Sequence, residues 1–308
     1  MLKFNELLKK EDDIDFFKLY LFSLDASRKY KTYSIKKRKG GLRTINHPSK
    51  ELKKYQRILS KLIFSKLPIH ESVFSYKKRI SIKNLAEQHK NNRFLLRIDF
   101  KDFFPSLTSK NIRELLEKNL SLFDFELSKD DITLINNIVC KSNKLTIGAP
   151  TSPIISNALL YDFDCEMNNF SKKIKYSRYA DDLYFSSNIP NLLQNIIPYI
   201  KTFLLNYKIK LQINEDKNIY TSKKRKRCVT GLVLTTDNEI SIGREKKKYL
   251  KSLIFKYIKK TITSEELIYL KGYLSFVKSV EESFLNNLIK KYNPVIIKEI
   301  QELKNIVI

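Results

Sequence analysis

The residues from Ile174 to Ser187 read IKYSRYADDLYFSS, and this stretch decides the fold class. Apolar and polar residues alternate before the run Ala180-Asp181-Asp182, and a second apolar run follows it. Alternation with a period of two beside a short polar run predicts a β-hairpin. Neighbouring side chains of a strand point to opposite faces, but a tight turn can direct both carboxylates toward one rim of the sheet.

Other predicted strands and helices flank this hairpin in a regular order. The apolar run at residues 94–100 has the length of a strand, and Ser152-Pro153 opens a helix with a serine N-cap and a proline at the first helical position. Further elements are predicted at Lys110–Asn119, Lys129–Cys140 and Leu192–Tyr207 (helices), and around Lys210–Ile213 and Cys228–Leu234 (strands). The order strand, helix, hairpin, helix, strand is the ferredoxin-like βαββαβ pattern, which predicts an α+β protein.

The two ends of the chain are predicted to be mainly helical. The segments Leu2–Tyr30 and Lys50–Leu67 have helical apolar spacing, as do the last 65 residues. Between the first two segments, Tyr33–Lys39 and Leu42–Ile45 flank the turn dipeptide Gly40-Gly41, which predicts a second hairpin.

The composition limits the classes of partner. The chain has 308 residues and a net charge of 59 − 33 = +26, which favours nucleic acid first and an anionic membrane surface second. Only 12 of the 59 basic residues are arginine, so part of the lysine excess is explained equally well by A+T-rich codons, and clustering carries more meaning than the total. No apolar run is long enough to span a membrane, and three scattered cysteines predict neither disulfides nor a zinc site. We expect a cytoplasmic protein without a membrane partner.

Three carboxylates are candidates for chemistry. Asp99 ends the strand at residues 94–100, and in a ferredoxin-like sheet that strand lies beside the hairpin that carries Asp181 and Asp182. Such carboxylates repel by about 4 kcal/mol per pair at an effective dielectric constant of about 20, so cations must neutralise them. Two Mg²⁺ ions would do so and would clamp the attacking and leaving oxygens of a phosphoryl transfer. The alternative is that the pair is only a turn and Asp99 only a strand end.

Three motifs in order decide between these alternatives. The run Tyr179-Ala180-Asp181-Asp182 resembles the catalytic Y-x-D-D box of reverse transcriptases, residues 99–106 (DFKDFFPS) resemble motif A of that family, and residues 148–157 (GAPTSPIISN) resemble its motif B. Val229-Thr230-Gly231 resembles the V-T-G signature of the retron type, and Ser81-Ile82 with Ala86-Glu87-Gln88-His89 partly resembles the retron N-A-x-x-H box. One departure is Ile147, where motif B usually has glutamine.

The resemblance implies roles for individual residues. Asp99, Asp181 and Asp182 would be metal ligands, joined by the backbone carbonyl of Phe100, and Mn²⁺ is a possible substitute for Mg²⁺. Lys217 resembles the motif D lysine, which protonates the departing pyrophosphate. The resemblance also implies a dNTP site, with Phe104 as a gate against the ribose 2′-hydroxyl; its residues are Arg43, Lys39, Asp102, Phe103, Phe104 and Gly148.

A basic region near the C-terminal end is the predicted nucleic-acid contact. Between Lys217 and Lys260 there are 14 Lys and Arg residues against three acids, interleaved with aromatic rings, and this combination suits phosphates and stacked bases. The predicted contacts are Lys224, Arg225, Arg227, Arg244, Lys247, Lys248, Tyr249 and Tyr257. His89 is predicted to order the junction of fingers and palm rather than to bind metal.

The resemblance therefore implies a right-hand polymerase. We expect N-terminal helices and fingers at residues 1–90, a ferredoxin-like palm with the catalytic acids at 91–235, and a helical RNA-binding thumb at 236–308. The retron type implies synthesis of branched multicopy single-stranded DNA from a cognate structured non-coding RNA, which serves as template and 2′-OH primer. It also implies antiphage defence beside a separate effector protein encoded nearby. Other bacterial reverse transcriptases of the group II intron or abortive-infection type, a non-catalytic RNA-binding scaffold and a palm-fold nucleotidyl cyclase are the alternatives.

Overall fold

The computed structural model describes residues 2–37 and 40–302, apart from the side chain of Asp12. The chain divides into two compact units. The first extends to Arg79 and continues over Leu96–Phe185 and Pro190–Ile219. The second comprises Ile80–Leu95, Ser186–Ile189 and the chain from Tyr220 onward.

The described residues form short strands and helices of moderate length. The strands are β1 (Leu2–Lys3), β2 (Tyr30–Lys36), β3 (Leu42–Pro48), β4 (Phe94–Lys101), β5 (Phe125–Glu126), β6 (Lys175–Tyr179), β7 (Asp182–Ser187), β8 (Gln212–Ile213), β9 (Ile219–Ser222), β10 (Arg227–Val229), β11 (Leu232–Leu234) and β12 (Ile240–Ser241). The helices are α1 (Phe4–Asp12), α2 (Phe16–Leu24), α3 (Lys50–Leu62), α4 (Ile82–His89), α5 (Phe103–Ser106), α6 (Ser109–Lys118), α7 (Lys129–Val139), α8 (Ser152–Leu159), α9 (Tyr161–Asn169), α10 (Ile196–Asn206), α11 (Arg244–Ile258), α12 (Ser264–Val280), α13 (Glu282–Tyr292) and α14 (Pro294–Glu302).

The central sheet has the strand order β6-β7-β4-β8, and β9 also pairs with β4. Counted along the chain, β4, β6, β7 and β8 are the four strands of a βαββαβ unit, and this spatial order is that of the ferredoxin-like fold. The α+β class and the adjacency of the first strand to the central hairpin are therefore confirmed. This adjacency carries Asp99 to the turn between β6 and β7, because the backbone N–H of Phe100 donates to the carbonyl of Asp181 at 3.1 Å.

The predicted hairpin around Gly40-Gly41 is formed by β2 and β3 in the first unit. Its antiparallel register runs from the pair Tyr30 and Pro48 to the pair Lys36 and Leu42. The backbone N–H of Asn46 donates to the carbonyl of Ile147 at 2.8 Å, so the segment before α8 is attached directly to β3. Helices α3, α6 and α8 supply much of the surrounding core, through residues such as Leu59 and Ile112.

The second unit contains a small sheet and the C-terminal helices. Strands β10, β11 and β12 form a three-stranded antiparallel sheet, against which α4 packs. Helices α11 to α14 pack on one another through buried aliphatic side chains, including Leu253, Leu274, Leu288 and Ile300. None of the helices in residues 2–37 and 40–302 is long and apolar enough to cross a membrane.

Two local expectations are corrected. Ser152 is not an N-cap: it is the first residue of α8, Thr151 stands at the cap, and the Ser152 hydroxyl accepts a hydrogen bond from the backbone N–H of Thr146. The segment Cys228–Leu234 is not one strand, because Thr230-Gly231 forms a two-residue turn with positive φ at both positions. Both corrections involve tight turns, which residue composition alone specifies weakly. The three-domain boundaries at residues 90 and 235 stay a prediction.

Candidate active site

Asp99, on β4, and Asp181, in the turn between β6 and β7, lie close together at one end of the central sheet. Asp99 is buried, with 4% of its surface exposed, and its backbone carbonyl accepts a hydrogen bond from Asn214 in the segment after β8. This bond makes Asp99 and Asn214 a hydrogen-bonded pair that continues the pairing of β4 with β8. Because backbone polar groups alternate in direction along a strand, the N–H and carbonyl of the next residue, Phe100, face the other neighbouring strand, β7. The carbonyl predicted to contact a metal therefore faces the side of the sheet on which Asp181 lies.

Two cations occupy the same region. The Nζ atom of Lys217 lies 2.7 Å from Oδ1 of Asp99, and Arg97 donates to Oδ1 of Asp182 from Nε at 3.0 Å and from Nη2 at 2.7 Å. Lys217 was predicted at the site from the resemblance, whereas Arg97 was not. Arg97 lies two residues before Asp99 on β4, and the two-residue period of a strand would have placed both side chains on one face.

The carboxylates perturb one another. Burial, followed by the charges of Asp182 and Asp99, raises the pKa of Asp181 to about 6. Burial also raises the pKa of Asp182, and the ion pair with Arg97 opposes that shift. The raised pKa of Asp181 therefore reflects its burial first and the negative charges of its two neighbours second.

Divalent cations fit this set of donors. Across the described residues, no three histidine, cysteine, aspartate or glutamate side chains converge closely enough to hold a metal ion. Cations of the protein engage Asp99 and Asp182 instead. The oxygen donors of Asp99, Asp181 and the Phe100 carbonyl are nevertheless those that hard divalent cations prefer. The assignment of Asp99, Asp181, Asp182 and Phe100 as ligands stays a prediction.

The predicted nucleotide-binding residues have different surroundings. Arg43 is exposed on β3, and Asp102 is exposed just after β4 with a left-handed backbone (φ 47°). Lys39 lies outside the described residues. Phe103 is buried, 4% exposed, and its ring is stacked on Phe100 at 6.1 Å between centroids, whereas Phe104 beside it is only half-buried. Of the two rings, Phe104 has the exposure that contact with a nucleotide requires.

Gly148 has a structural reason to be glycine. Its φ is +114°, and a Cβ atom there would lie 2.6 Å from the carbonyl oxygen of Asn46. The close approach at Gly148 is therefore to the backbone of β3. Gly148 thus sets the distance between the motif B segment and the hairpin that carries Arg43. Its assignment to the dNTP site stays a prediction.

Tyr76 is a site residue that sequence reasoning missed. Its ring centroid lies 6.4 Å from that of Tyr179, half of its surface is exposed, and its φ is +59°. Burial and the neighbouring carboxylate of Asp181 raise its pKa, while Arg178 and Arg43 lower it. These charge effects show that Tyr76 lies near both Asp181 and Arg43. No local pattern of apolar and polar residues signals such a position.

Comparison with known proteins identifies the family. A family model described as reverse transcriptase (RNA-dependent DNA polymerase) matches residues 35–250. The chain belongs to the reverse transcriptase family. The retron Ec83 reverse transcriptase of Escherichia coli is 35% identical over 285 residues, which cover 89% of this chain and 90% of that protein. The retron Ec73 reverse transcriptase of Escherichia coli is 33% identical, with coverage of 89% and 90%. This reverse transcriptase is thus of the retron type and is an RNA-directed DNA polymerase.

Solved structures confirm the predicted right-hand polymerase fold. Telomerase from Candida tropicalis has a TM-score of 0.50 at 12% identity, and the match covers 86% of this chain and 58% of that chain. Telomerase from Candida albicans, solved with a fragment of telomeric RNA, has a TM-score of 0.52 at 15% identity, with coverage of 87% and 55%. The reverse transcriptase therefore spans little more than half the length of these telomerase chains.

Two cationic residues of this reverse transcriptase contact the acids in ways that bear on their roles. Divalent cations, when bound, supply a Lewis acid that activates the primer hydroxyl and neutralises charge on the triphosphate. The Nζ atom of Lys217 donates to the carboxylate of Asp99 at 2.7 Å, and its role as proton donor to the departing pyrophosphate stays a prediction. Arg97 fixes the carboxylate of Asp182 with two hydrogen bonds to one oxygen.

The predicted nucleic-acid contacts belong to the second unit and are only partly accessible. Lys224, Arg225, Arg244, Lys248 and Tyr249 are exposed. Lys247 instead forms an ion pair with Glu281, and half-buried Tyr257 donates to Glu299 at 3.4 Å. The five exposed side chains keep the accessibility that binding to phosphates and bases requires, and their assignment stays a prediction.

Arg227 corrects the prediction for that surface. It is fully buried, and its guanidinium donates to the backbone carbonyls of Lys90, Asn92 and Thr235. Burial lowers its pKa. The guanidinium connects the segment after α4 to the small sheet through three backbone carbonyls, and its burial keeps it from contacting RNA.

The residues that resemble the retron signatures stabilise the second unit through packing, a hydrogen bond and a turn. His89 is buried at the end of α4, with Nδ1 2.7 Å from the hydroxyl of Ser186. Val229 is buried, and Thr230-Gly231 turns the chain from β10 into β11. The φ of +45° at Thr230 is unusual for a β-branched residue.

Gly148→Ala tests the close approach to β3. The added Cβ meets the Asn46 carbonyl and the positive φ is strained, so we expect a loss of about 1–3 kcal/mol in the free energy of unfolding. Nucleotide incorporation should fall as well, because the hairpin that carries Arg43 must shift. Thermal denaturation and primer extension measure both effects. Gly272→Ala is the matched control: Gly272 lies in α12 with open space around it, and alanine there should raise stability by about 1 kcal/mol. Equal behaviour of the two variants would contradict this role of Gly148.

Phe104→Ala tests the gate against ribonucleotides. Removing the ring should lower the preference for dNTP over rNTP by about 10- to 100-fold, since steric exclusion of a hydroxyl has about that limit. Single-nucleotide incorporation with each sugar measures the ratio. Phe104→Tyr keeps the ring and serves as the control. An unchanged ratio in the alanine variant would remove Phe104 from the site.

Proposed function

We propose that this reverse transcriptase is a retron enzyme that makes branched multicopy single-stranded DNA from its own structured non-coding RNA. The observation that carries the proposal is the 35% identity to the retron Ec83 reverse transcriptase across about nine-tenths of both chains. The partly matched N-A-x-x-H box at His89 and the V-T-G signature at Val229 support it. The RNA would act as template and would supply a 2′-hydroxyl as primer.

The proposed reaction uses dNTPs and two Mg²⁺ ions, for which Mn²⁺ would substitute. Asp99, Asp181 and Asp182 would hold the ions, and the 2′-hydroxyl of the RNA would attack the α-phosphorus of the first dNTP with release of pyrophosphate. Support comes from the oxygen donors that Asp99, Asp181 and the Phe100 carbonyl bring to one end of the sheet. Lys217 would donate a proton to the departing pyrophosphate.

The partners follow from the same resemblance. The exposed cations Lys224, Arg225, Arg244 and Lys248, with the ring of Tyr249, would grip the RNA and its DNA product. We propose that the enzyme acts in the cytoplasm in antiphage defence, beside a separate effector protein encoded nearby.

Sequencing of the nucleic acid that copurifies with the protein tests the retron assignment. We expect one short RNA joined covalently to DNA, in which treatment with ribonuclease leaves a branched nucleotide. A random pool of cellular RNA without attached DNA would overturn the proposal. A group II intron RNA would point to the other bacterial class.

The catalytic acids are tested in the same preparation. Asp181→Asn with Asp182→Asn should lower the yield of cDNA by at least about 1,000-fold, because loss of metal binding removes several kcal/mol of transition-state stabilisation. The RNA should still copurify. Asp130→Asn with Asp237→Asn makes the same change in charge at two exposed positions and is the control. Persistent synthesis by the first double variant would place the catalytic acids elsewhere.

A further inference from the structure

The residue before the first turn carboxylate has an unusual backbone. Ala180 has a φ of +55°, in the left-handed region that side chains other than glycine rarely adopt. Asp181 follows it directly, so the direction of that carboxylate depends on this torsion. An isolated alanine would leave the left-handed region, and the surrounding structure must therefore hold it there.

Two buried side chains bind both backbone groups of Ala180. Its N–H donates to the hydroxyl of Ser75 at 2.9 Å, and its carbonyl accepts from Nη1 of Arg178 at 3.2 Å. Ser75 and Arg178 have no exposed surface. Both polar groups of the strained residue are thus held within a polar network in the interior.

Arg178 is itself held by a buried ion pair. It donates to Asp164 from Nε at 2.7 Å and from Nη2 at 2.6 Å, and both side chains have zero exposure. Asn157 accepts from Nη1 at 3.3 Å, and the hydroxyl of Tyr176 donates to Asp164 at 2.7 Å. Burial and the adjacent carboxylate of Asp164 raise the pKa of Tyr176 well above its ordinary value, so its hydroxyl keeps the proton it donates.

Ser75 reaches the turn because its segment pairs with β6. The N–H of Arg178 donates to the carbonyl of Ser72 at 2.8 Å, and the N–H of Phe74 donates to the carbonyl of Arg178 at 2.9 Å. The segment from Ser72 to Tyr76 therefore follows the edge of β6 and places Ser75 beside Ala180. The same segment carries Tyr76 to Tyr179.

A buried ion pair is weak support for a role in stability alone. Hydrophobic side chains of similar volume often stabilise a core equally well, because two charges lose their hydration on burial. What an apolar pair cannot do is donate from a fixed guanidinium to the carbonyl of Ala180. The use of arginine at this position thus has a geometric consequence at the turn.

We propose that Ser75, Asn157, Asp164 and Arg178 form a positioning network that holds Ala180 in the left-handed conformation and so directs the carboxylate of Asp181. These four are positioning residues, since all of them are fully buried and cannot touch a substrate. The inference rests on the assignment of Asp181 as a catalytic acid. It does not depend on the identity of the RNA template.

Ser75→Ala tests the network with the smallest change. Loss of one hydrogen bond to Ala180 should lower kcat for dTTP incorporation by about tenfold or more, since a displacement of about 1 Å at a reacting group can cost about 100-fold. The KM for dTTP should stay within about twofold, because the nucleotide-binding residues are unchanged. Ser23→Ala, which removes another buried hydroxyl in α2, controls for general destabilisation.

Rescue distinguishes positioning from packing. Glycine adopts a φ of +55° without strain, so adding Ala180→Gly to Ser75→Ala should restore most of the lost kcat. Hydrogen exchange, read by mass spectrometry, should show faster exchange in the peptide that contains Ala180 for Ser75→Ala and not for Ser23→Ala. Unchanged kcat in Ser75→Ala, or no rescue by glycine, overturns the proposal.

A second variant removes the charges together. Arg178→Met with Asp164→Asn removes both charges at nearly unchanged side-chain volume and leaves an oxygen acceptor for Tyr176, and we expect a melting temperature close to that of the unchanged protein with kcat at least about tenfold lower. Full activity of this folded variant would show that the ion pair contributes only to packing, and it would overturn the proposal.

The assay uses a poly(rA) template with an oligo(dT) primer. An unchanged protein that is active in this assay but carries no branched RNA–DNA in cells would overturn the retron function and leave this inference standing.

Discussion

Repulsion between carboxylates that are held together in a partly buried place is the constraint on which this structure depends. Asp181 adjoins Asp182 in the chain and Asp99 across the sheet, and burial, followed by these two charges, raises its pKa to about 6. Lys217 and Arg97 offset part of the repulsion by pairing with the other two acids. We expect the remainder to favour a divalent cation at the site, because a cation that supplies two positive charges gains most where negative charge is least compensated.

Electrostatic repulsion between these acids must be offset by the rest of the first unit. Several of its hydrogen bonds hold the backbone beside them. A hydrogen bond from the backbone N–H of Phe100 holds Asp181, and a hydrogen bond donated by its own N–H to the Ser75 hydroxyl holds Ala180. Gly148 brings the motif B segment against β3 with no room for a side chain, and β3 carries Arg43. Backbone contacts thus position the turn at Asp181, and the close approach at Gly148 positions the motif B segment against β3. The placement of the acids therefore does not depend on strong contacts of their side chains.

The basic residues behind the net charge of +26 fall into groups with different surroundings in the structure. Arg97 and Lys217 balance the acids, whereas Arg178 and Arg227 are buried and bind oxygen atoms of the protein itself. Four of the eight residues predicted to grip RNA are exposed lysines or arginines, and Arg227 is not among them. A sum over the sequence could not separate these groups, because the charge of an arginine is the same whether it faces a phosphate or a carbonyl.

The sequence by itself determined the α+β class, the strand that ends in Asp99, the hairpin with Asp181 and Asp182, and the family. These follow from local periodicity, turn residues and short motifs, which depend on residues close together in the chain. Tertiary structure alone decided that Arg97 faces Asp182, that Gly148 meets Asn46, that Tyr76 lies beside Tyr179 and that Arg227 is buried. The physical reason is that each of these contacts joins residues brought together only by the pairing of distant strands and segments, and neither the charge nor the propensity of a single residue encodes its partner.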